Sequence, residues 1–431
     1  MSLSRATLKH RPTPTQLLAR VLEAPHLAHQ VQSLPGPVLA KLIEEVGLQD
    51  AGELVALATT QQLAEVLDED LWRSEKPGED AVFDSERFLV WLEVLAEAGE
   101  RFVAERLAEL PEDLVTLAFH RHVLVLPLAD LRAELGREDD EAEAAEKALA
   151  SCLSEELEDF QLIWRGGDGW DDVLGALLAL DRDHHSIAVN LLERCAHLSR
   201  AHIDDHGGLY EVLTADEMLE SDLSAEREAR RTERGFVTPS AAAGFLRLAL
   251  RGADETPFTE HDPLTRGYFR DLSRQPTPAP VAASSALVGL LADAGVIEER
   301  AVPRLSDWAS RSEPLIIGAL RVLAERSPHL FAERSEELAY LSNVLVAGAS
   351  VDGRRLRPVE AVAHAIDGVS AGLALAAGAH EPSAELAADV LARHPCDGLL
   401  RLAYAQARSP GRKAGPESLQ RVRALLKTLK V

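Results

Sequence analysis

The sequence predicts an all-α protein of stacked short helices, a right-handed superhelix or helical array with two or three subdomains. Three observations lead there. Apolar residues make up 46% of the 431, yet only 4% are aromatic, so Leu, Ala and Val must do the packing. Leu and Ala carry little helix penalty, whereas strands favour β-branched and aromatic residues. Apolar positions recur at helical spacing, and the chain is too long for one ordinary core.

In chain order, residues 1–14 read as a flexible tail containing Pro12 and Pro14. Residues 15–135 read as a first domain of short helices. Leu39, Leu42, Ile43 and Val46 share one face, Pro35 and Pro37 stand at its start, and Gly47 follows it. Helices of about ten residues are marginal alone, so each must lean on its neighbours. Leu110-Pro111 repeats the Leu34-Pro35 type of helix entry. His120 to Leu131 is β-branched and alternating, but Pro127 confines it to an edge strand or a bent helix.

Residues 136–250 read as a middle helical domain. The acidic run 138–150 is expected to lead into a helix burying Leu149, Cys152, Leu153, Leu157 and Phe160. Helices from Asp171 to Leu180 and from His184 to about His202 should follow. Prolines then interrupt residues 251–280, a loop or linker, before a helical domain at 281–431 with a basic terminal helix.

A net charge of −26 argues against a nucleic-acid binder in bulk, because a polyanion is repelled over most of such a surface. Cys152, Cys195 and Cys396 are far apart and form no CxxC, which suggests buried reduced thiols rather than a disulfide framework or zinc ribbon. The amino terminus lacks an apolar stretch, and no long uncharged apolar run is apparent, so membrane insertion is not expected and a cytoplasmic location is.

His184, His185, Cys195, His197, His202, Asp204, Asp205 and His206 form the densest cluster of metal-ligating types. His202 and His206, at i and i+4, with Asp205 beside them, are the candidate metal ligands. His184 and His185 lie at the other end of the same helix, roughly 25 Å away. Solvated helix-end residues are the plainer account, and no cofactor is expected otherwise. Trp164-Arg165-Gly166-Gly167-Asp168-Gly169-Trp170 superficially resembles a phosphate cradle. It lacks the GxGxxG order and a Walker Lys-Ser/Thr, and reads as an interhelical turn anchored by two tryptophans. No GxSxG or HExxH nucleophile or metalloprotease signature occurs.

The carboxyl-terminal stretch is the main asymmetry. From Leu399 onward eight basic residues face Glu417 alone. Arg412, Lys413, Arg421, Arg423, Lys427 and Lys430 are the candidate interaction surface, while Leu419, Val422, Leu425, Leu426 and Leu429 form an apolar stripe. The segment either docks on its own acidic body or meets a partner.

The segment from Leu34 to Trp72 resembles the acidic helical N-domain of MgtE-type magnesium transporters, in which short "Leu-Pro" helices stack into a superhelix. That resemblance implies fold for residues 15–135 and, without a membrane domain, no transport. Arg234–Leu246 and Glu337–Leu375 resemble an uncharacterised family of bacterial all-helical proteins, which implies no activity. The expectation is a noncatalytic scaffold or regulator with a protein partner. The alternatives are a metal-dependent enzyme at His184–His206 and a nucleic-acid-associated factor using the basic tail.

Overall fold

Thr13 accepts the Gln16 N–H at 3.3 Å while Gln16 Oε1 accepts the Thr13 N–H, a capping box that opens α1 (Pro14–Leu22). This is seen in a computed structural model. It describes residues 12–74, 76, 78–136, 147, 149–204, 214–251, 258–272, 287, 290–291, 313–379, 382–409 and 416–431. Next come α2 (Leu27–Gln32), α3 (Gly36–Val46), α4 (Gly52–Leu57) and α5 (Thr60–Asp70). Leu39, Leu42, Ile43 and Val46 are all buried on α3, as their spacing requires. Thr59 and Gln62 repeat the capping box at α5. Gln62 Nε2 also donates to the carbonyls of Val31 at 2.8 Å and Leu34 at 2.7 Å, tying the Leu34-Pro35 entry to α5.

Strands β1 (Trp72–Arg73) and β2 (Val82–Phe83) pair antiparallel ahead of α6 (Ser85–Glu97), α7 (Glu100–Glu109) and α8 (Glu112–His122). Residues Val123–Pro127 form β3, followed by α9 (Leu128–Leu135). β3 is an edge strand, and Pro127 is its last paired residue. Its partner corrects the sequence reading. Ser154–Leu157 (β4) and Phe160–Trp164 (β5) are an antiparallel hairpin, not a helix, and the sheet order is β3-β5-β4. Phe160, Leu162 and Trp164 are buried at period two, and Glu158 turns the chain with a positive φ of 53°. The sheet partner, 37 residues upstream at the Val125↔Leu162 pair, is what converts that apolar run to strand.

The Gly-rich loop therefore connects a strand to α10 (Trp170–Asp204). Its glycines adopt positive φ at 166, 167 and 169, and Trp164 Nε1 donates to the Gly167 carbonyl at 3.0 Å. Trp164 anchors the turn against Trp170, but the turn joins a strand to a helix, not two helices as the sequence suggested. α10 breaks at His184, with φ −140° and ψ 51°, where the sequence divides two helices.

The chain packs as two units. The first comprises Met1–Arg73, Val82–Ala225 and Pro280–Arg300, the second Ser74–Ala81, Glu226–Ala279 and Ala301–Val431. In the first, α6, α7, α8 and β3 all pack on α10. The division falls within α11 (Ala215–Glu233). The second unit holds α12 (Pro239–Arg251), α13 (Pro263–Leu272), α14 (Leu315–Arg326), α15 (Pro328–Gly348), α16 (Pro358–Ala377), α17 (Ala384–Arg393), α18 (Cys396–Arg408) and α19 (Glu417–Leu426). Thus a helix lies within the stretch read as a linker. Three two-residue strands, β6 (Ser350–Val351), β7 (Arg354–Arg355) and β8 (Leu429–Lys430), complete it in the order β7-β6-β8. Asn343, polar within an apolar helix, finds its partner in the Gly235 carbonyl at 3.0 Å.

α16 is long and apolar enough to cross a membrane by length and composition alone, though it carries Glu360 and Asp367 and more than half of its apolar window is buried within the protein. Its glycines explain how closely it packs on α18. A Cβ at Gly372 would sit 2.6 Å from the Leu399 carbonyl carbon and 2.9 Å from its Cα. The obstacle is backbone, which cannot rotate away. Gly372→Ala is expected to cost about 2–3 kcal/mol by forcing α16 and α18 apart. Thermal melting compared with Gly175→Ala, whose site on α10 faces open space with helical φ, checks this. A G372A protein as stable as the parent would mean that the two helices are not in close contact.

Candidate functional site

The richest polar cluster lies in the second unit, where Asp262-Pro263 starts α13. Asp262 accepts the N–H groups of Leu264 at 2.9 Å and Thr265 at 3.3 Å, and Pro263 needs no acceptor. This cap orients His261 toward α15 and α18. His261 Nδ1–H donates to Asp397 Oδ1 at 2.7 Å, and Nε2 faces Glu337 Oε1 at 3.4 Å. The two carboxylates are almost wholly buried, with side-chain exposures of 1% and 2%.

Buried carboxylates demand partners. Asp397 Oδ2 accepts the Asp262 N–H at 3.1 Å and Arg401 Nη2 at 3.4 Å. Glu337 Oε2 accepts the Cys396 N–H at 2.8 Å, and Oε1 is paired with Arg334 Nη1. Arg334 also reaches Glu333 at 2.7 Å and donates its Nε–H to the Leu391 carbonyl at 2.9 Å. Thr265 and Tyr340 hydroxyls meet at 3.3 Å beside Tyr268 and Phe269.

The pKa directions follow from this pairing. The hydrogen bond to Asp397 holds His261 above its ordinary value, overriding burial, and the Glu337 charge adds to it. Burial pushes the Asp397 carboxyl up, but the His261 hydrogen bond and charge hold it below the usual range. Burial raises Glu337 and Asp262. With His261 charged, Glu333, Glu337 and Asp397 face Arg334, Arg401 and His261, and the buried Asp262 stands beside Asp397.

His261, Glu333 and Glu337 also place one ligand atom each within 4.8 Å of one another. With Asp397 behind Nδ1, His261 has the carboxylate-backed orientation of many metal-binding histidines. However, Arg334 Nη1 already bridges the two glutamates. A divalent ion would have to displace it.

The histidine-rich region behaves differently. The His202 side chain, Asp205 and His206 lie outside the described residues. Within the described part, His185 is exposed and pairs with Asp181 at 2.7 Å, with Glu158 at 3.9 Å. Cys195 is buried with its thiol pushed up to about 12 by desolvation, and Cys396 is buried likewise. Cys152 is exposed, contrary to expectation. In the basic segment, Arg412 and Lys413 fall outside the described residues. Arg421 pairs with Asp367 at 2.8 Å and Glu417 at 2.7 Å. Arg423 is partly buried, and Lys427 and Lys430 are exposed.

The sequence reading missed His261, Glu337 and Asp397. They come from three segments, one inside the presumed linker. Asp262-Pro263 was the available signal, since it is a cap-plus-proline pair like Thr238-Pro239.

Residues 4–206 match a family of unknown function, DUF6178. The match takes in a little under half of the chain. It ends ahead of 234–246 and 337–375 and of the His261 cluster, and the likeness to DUF6178 carries no activity. No curated protein and no solved structure matches this chain.

Proposed function

We propose that the protein is a noncatalytic interaction or regulatory scaffold of the bacterial cytoplasm, whose packed helices offer their surface to a protein partner. The observation that carries this reading is the self-pairing of the His261 cluster. Its carboxylates and cations engage each other and backbone groups across α13, α15 and α18. Groups so committed hold helices together, whereas a general base needs a free lone pair aimed at substrate. The texture shared with the MgtE-type N-domain supports an array of helices as the working surface.

A metal-dependent enzyme is the second reading, favoured by the His261, Glu333 and Glu337 geometry. Elemental analysis of protein purified without chelators separates the two. The scaffold predicts less than stoichiometric Zn, Mn or Fe, and a reproducible protein partner on affinity capture from the native cell. One tightly held ion per chain, lost in Glu333→Gln or in a His202→Ala/His206→Ala protein, would replace the scaffold with the enzyme and say which site holds the metal.

A further inference from the structure

The second unit gathers cations that lie far apart in sequence. The hairpin β6–β7 turns through Asp352 and Gly353, with φ of 53° and 81°, the left-handed pair that a tight two-residue turn needs. This places Arg355 opposite Ser350, and β8 places Lys430 opposite the same Ser350 from the other side. Residues in register across neighbouring strands project from one face, with strands roughly 5 Å apart. Arg355 and Lys430 therefore stand on one face about 10 Å apart. Lys427 precedes β8, and Arg423 is one turn earlier on the same side of α19.

Of the nearby acids, Asp352 in the β6–β7 turn acts on Arg354, and the others are held in ion pairs. Glu360 is held by Arg354 at 3.0 Å and Arg357 at 2.7 Å, and Asp367 and Glu417 are held by Arg421. Among the described residues Arg355, Lys427 and Lys430 have no ion-pair partner. Arg423 Nη2 is shut off from water and finds no acceptor. The result is a cationic platform on a chain of net charge −26.

The geometry points to this platform, Arg355, Arg423, Lys427 and Lys430, as the docking surface for an acidic segment of a partner protein. The inference rests on the scaffold reading and names the chemistry of its partner. Charge complementarity carries it, and the size of the patch selects the occupant. A platform three strands wide suits a few carboxylates, and the adjoining Arg354 and Arg357 already grip the Glu360 carboxylate. A nucleic acid would extend beyond the patch over acidic surface, and none of the four platform residues is an aromatic on which bases stack.

The test uses the full-length chain and a fluorescent oligoglutamate peptide at low salt, with a single-stranded RNA of equal charge as comparison. The peptide should bind more tightly than the RNA, and binding should weaken as salt rises. Arg355→Glu with Lys430→Glu should weaken peptide binding about tenfold or more. Arg20→Glu with Lys41→Glu, the same charge change on exposed residues of the first unit, should alter it by less than about twofold. If the charge-reversed protein melts early, Arg355→Gln with Lys430→Gln replaces it. Equal weakening by both pairs, or unchanged binding by the platform variant, overturns the platform and leaves the scaffold reading standing. RNA bound more tightly than peptide and lost with the platform pair overturns the acidic-protein assignment in favour of nucleic acid.

Discussion

Removal of residues 411–431 is expected to lower the melting temperature of the protein substantially and to promote aggregation. Leu419, Val422 and Leu425 on α19 are buried, and the helix packs on α16 and α18. Exposing three such side chains, and the surface beneath them, costs on the order of 5 kcal/mol as an upper figure. The loss also strips β8 from β6 and leaves Asp367 without Arg421. That ion pair is partly exposed and contributes less than about 1 kcal/mol. Salt should consequently change the melting of the intact protein only modestly. Calorimetry of the two proteins over a salt series makes the comparison. A truncated protein that melts with the parent would show that the segment is a free arm and that its leucines are not covering a core.

Asp397→Asn should be the most damaging single polar change. It leaves His261 and Arg401 facing a neutral amide inside the protein, and breaking such a pair costs about 3–5 kcal/mol. The pH dependence has a definite sign. The folded pKa of His261 lies above its ordinary value of 6.5, so its contribution is complete below that pH. It is lost as pH rises through the folded pKa. The folded pKa of Asp397 lies below 3.8, so its contribution is present above that value and lost as pH falls through the folded pKa. The pair therefore contributes most between these values. Glu337, raised by burial, acts in the opposite sense and favours the fold at low pH. The melting difference between wild type and His261→Gln should be largest near pH 5–6 and shrink toward alkaline pH. A difference independent of pH would show that His261 is neutral in the fold. Wild-type melting of D397N, in a protein that had lost a measurable activity, would make the cluster reactive rather than structural.

How much of this was legible depends on how local the cause is. α3 was readable because four apolar residues at helical spacing suffice to define its buried face. Pro127 was readable as an edge because a missing N–H excludes central pairing. The break at His184 and the positive-φ turn at Gly166, Gly167 and Gly169 belong to the same class. β5 was not readable as strand. Phe160 to Trp164 is apolar enough for a buried helix, and only pairing with Val123–Pro127 selects the extended form. The His261 cluster was hidden for a related reason. Its groups stand at residues 261, 337 and 397, and nothing in their own segments signals that they meet.

By itself the sequence determined the helical class, the buried face of α3, the apolar stripe of α19 and the acidic charge of the chain, because each follows from spacing or composition within a few residues. Tertiary structure alone decided the sheet that captures residues 154–164, the assembly of each unit from discontinuous segments, and the meeting of Arg355 with Lys430 across Ser350. It also decided which charges are buried. Helix periodicity is a local property of the chain. Pairing between strands and the desolvation of a carboxylate depend on what arrives from elsewhere, and only the packed chain specifies that.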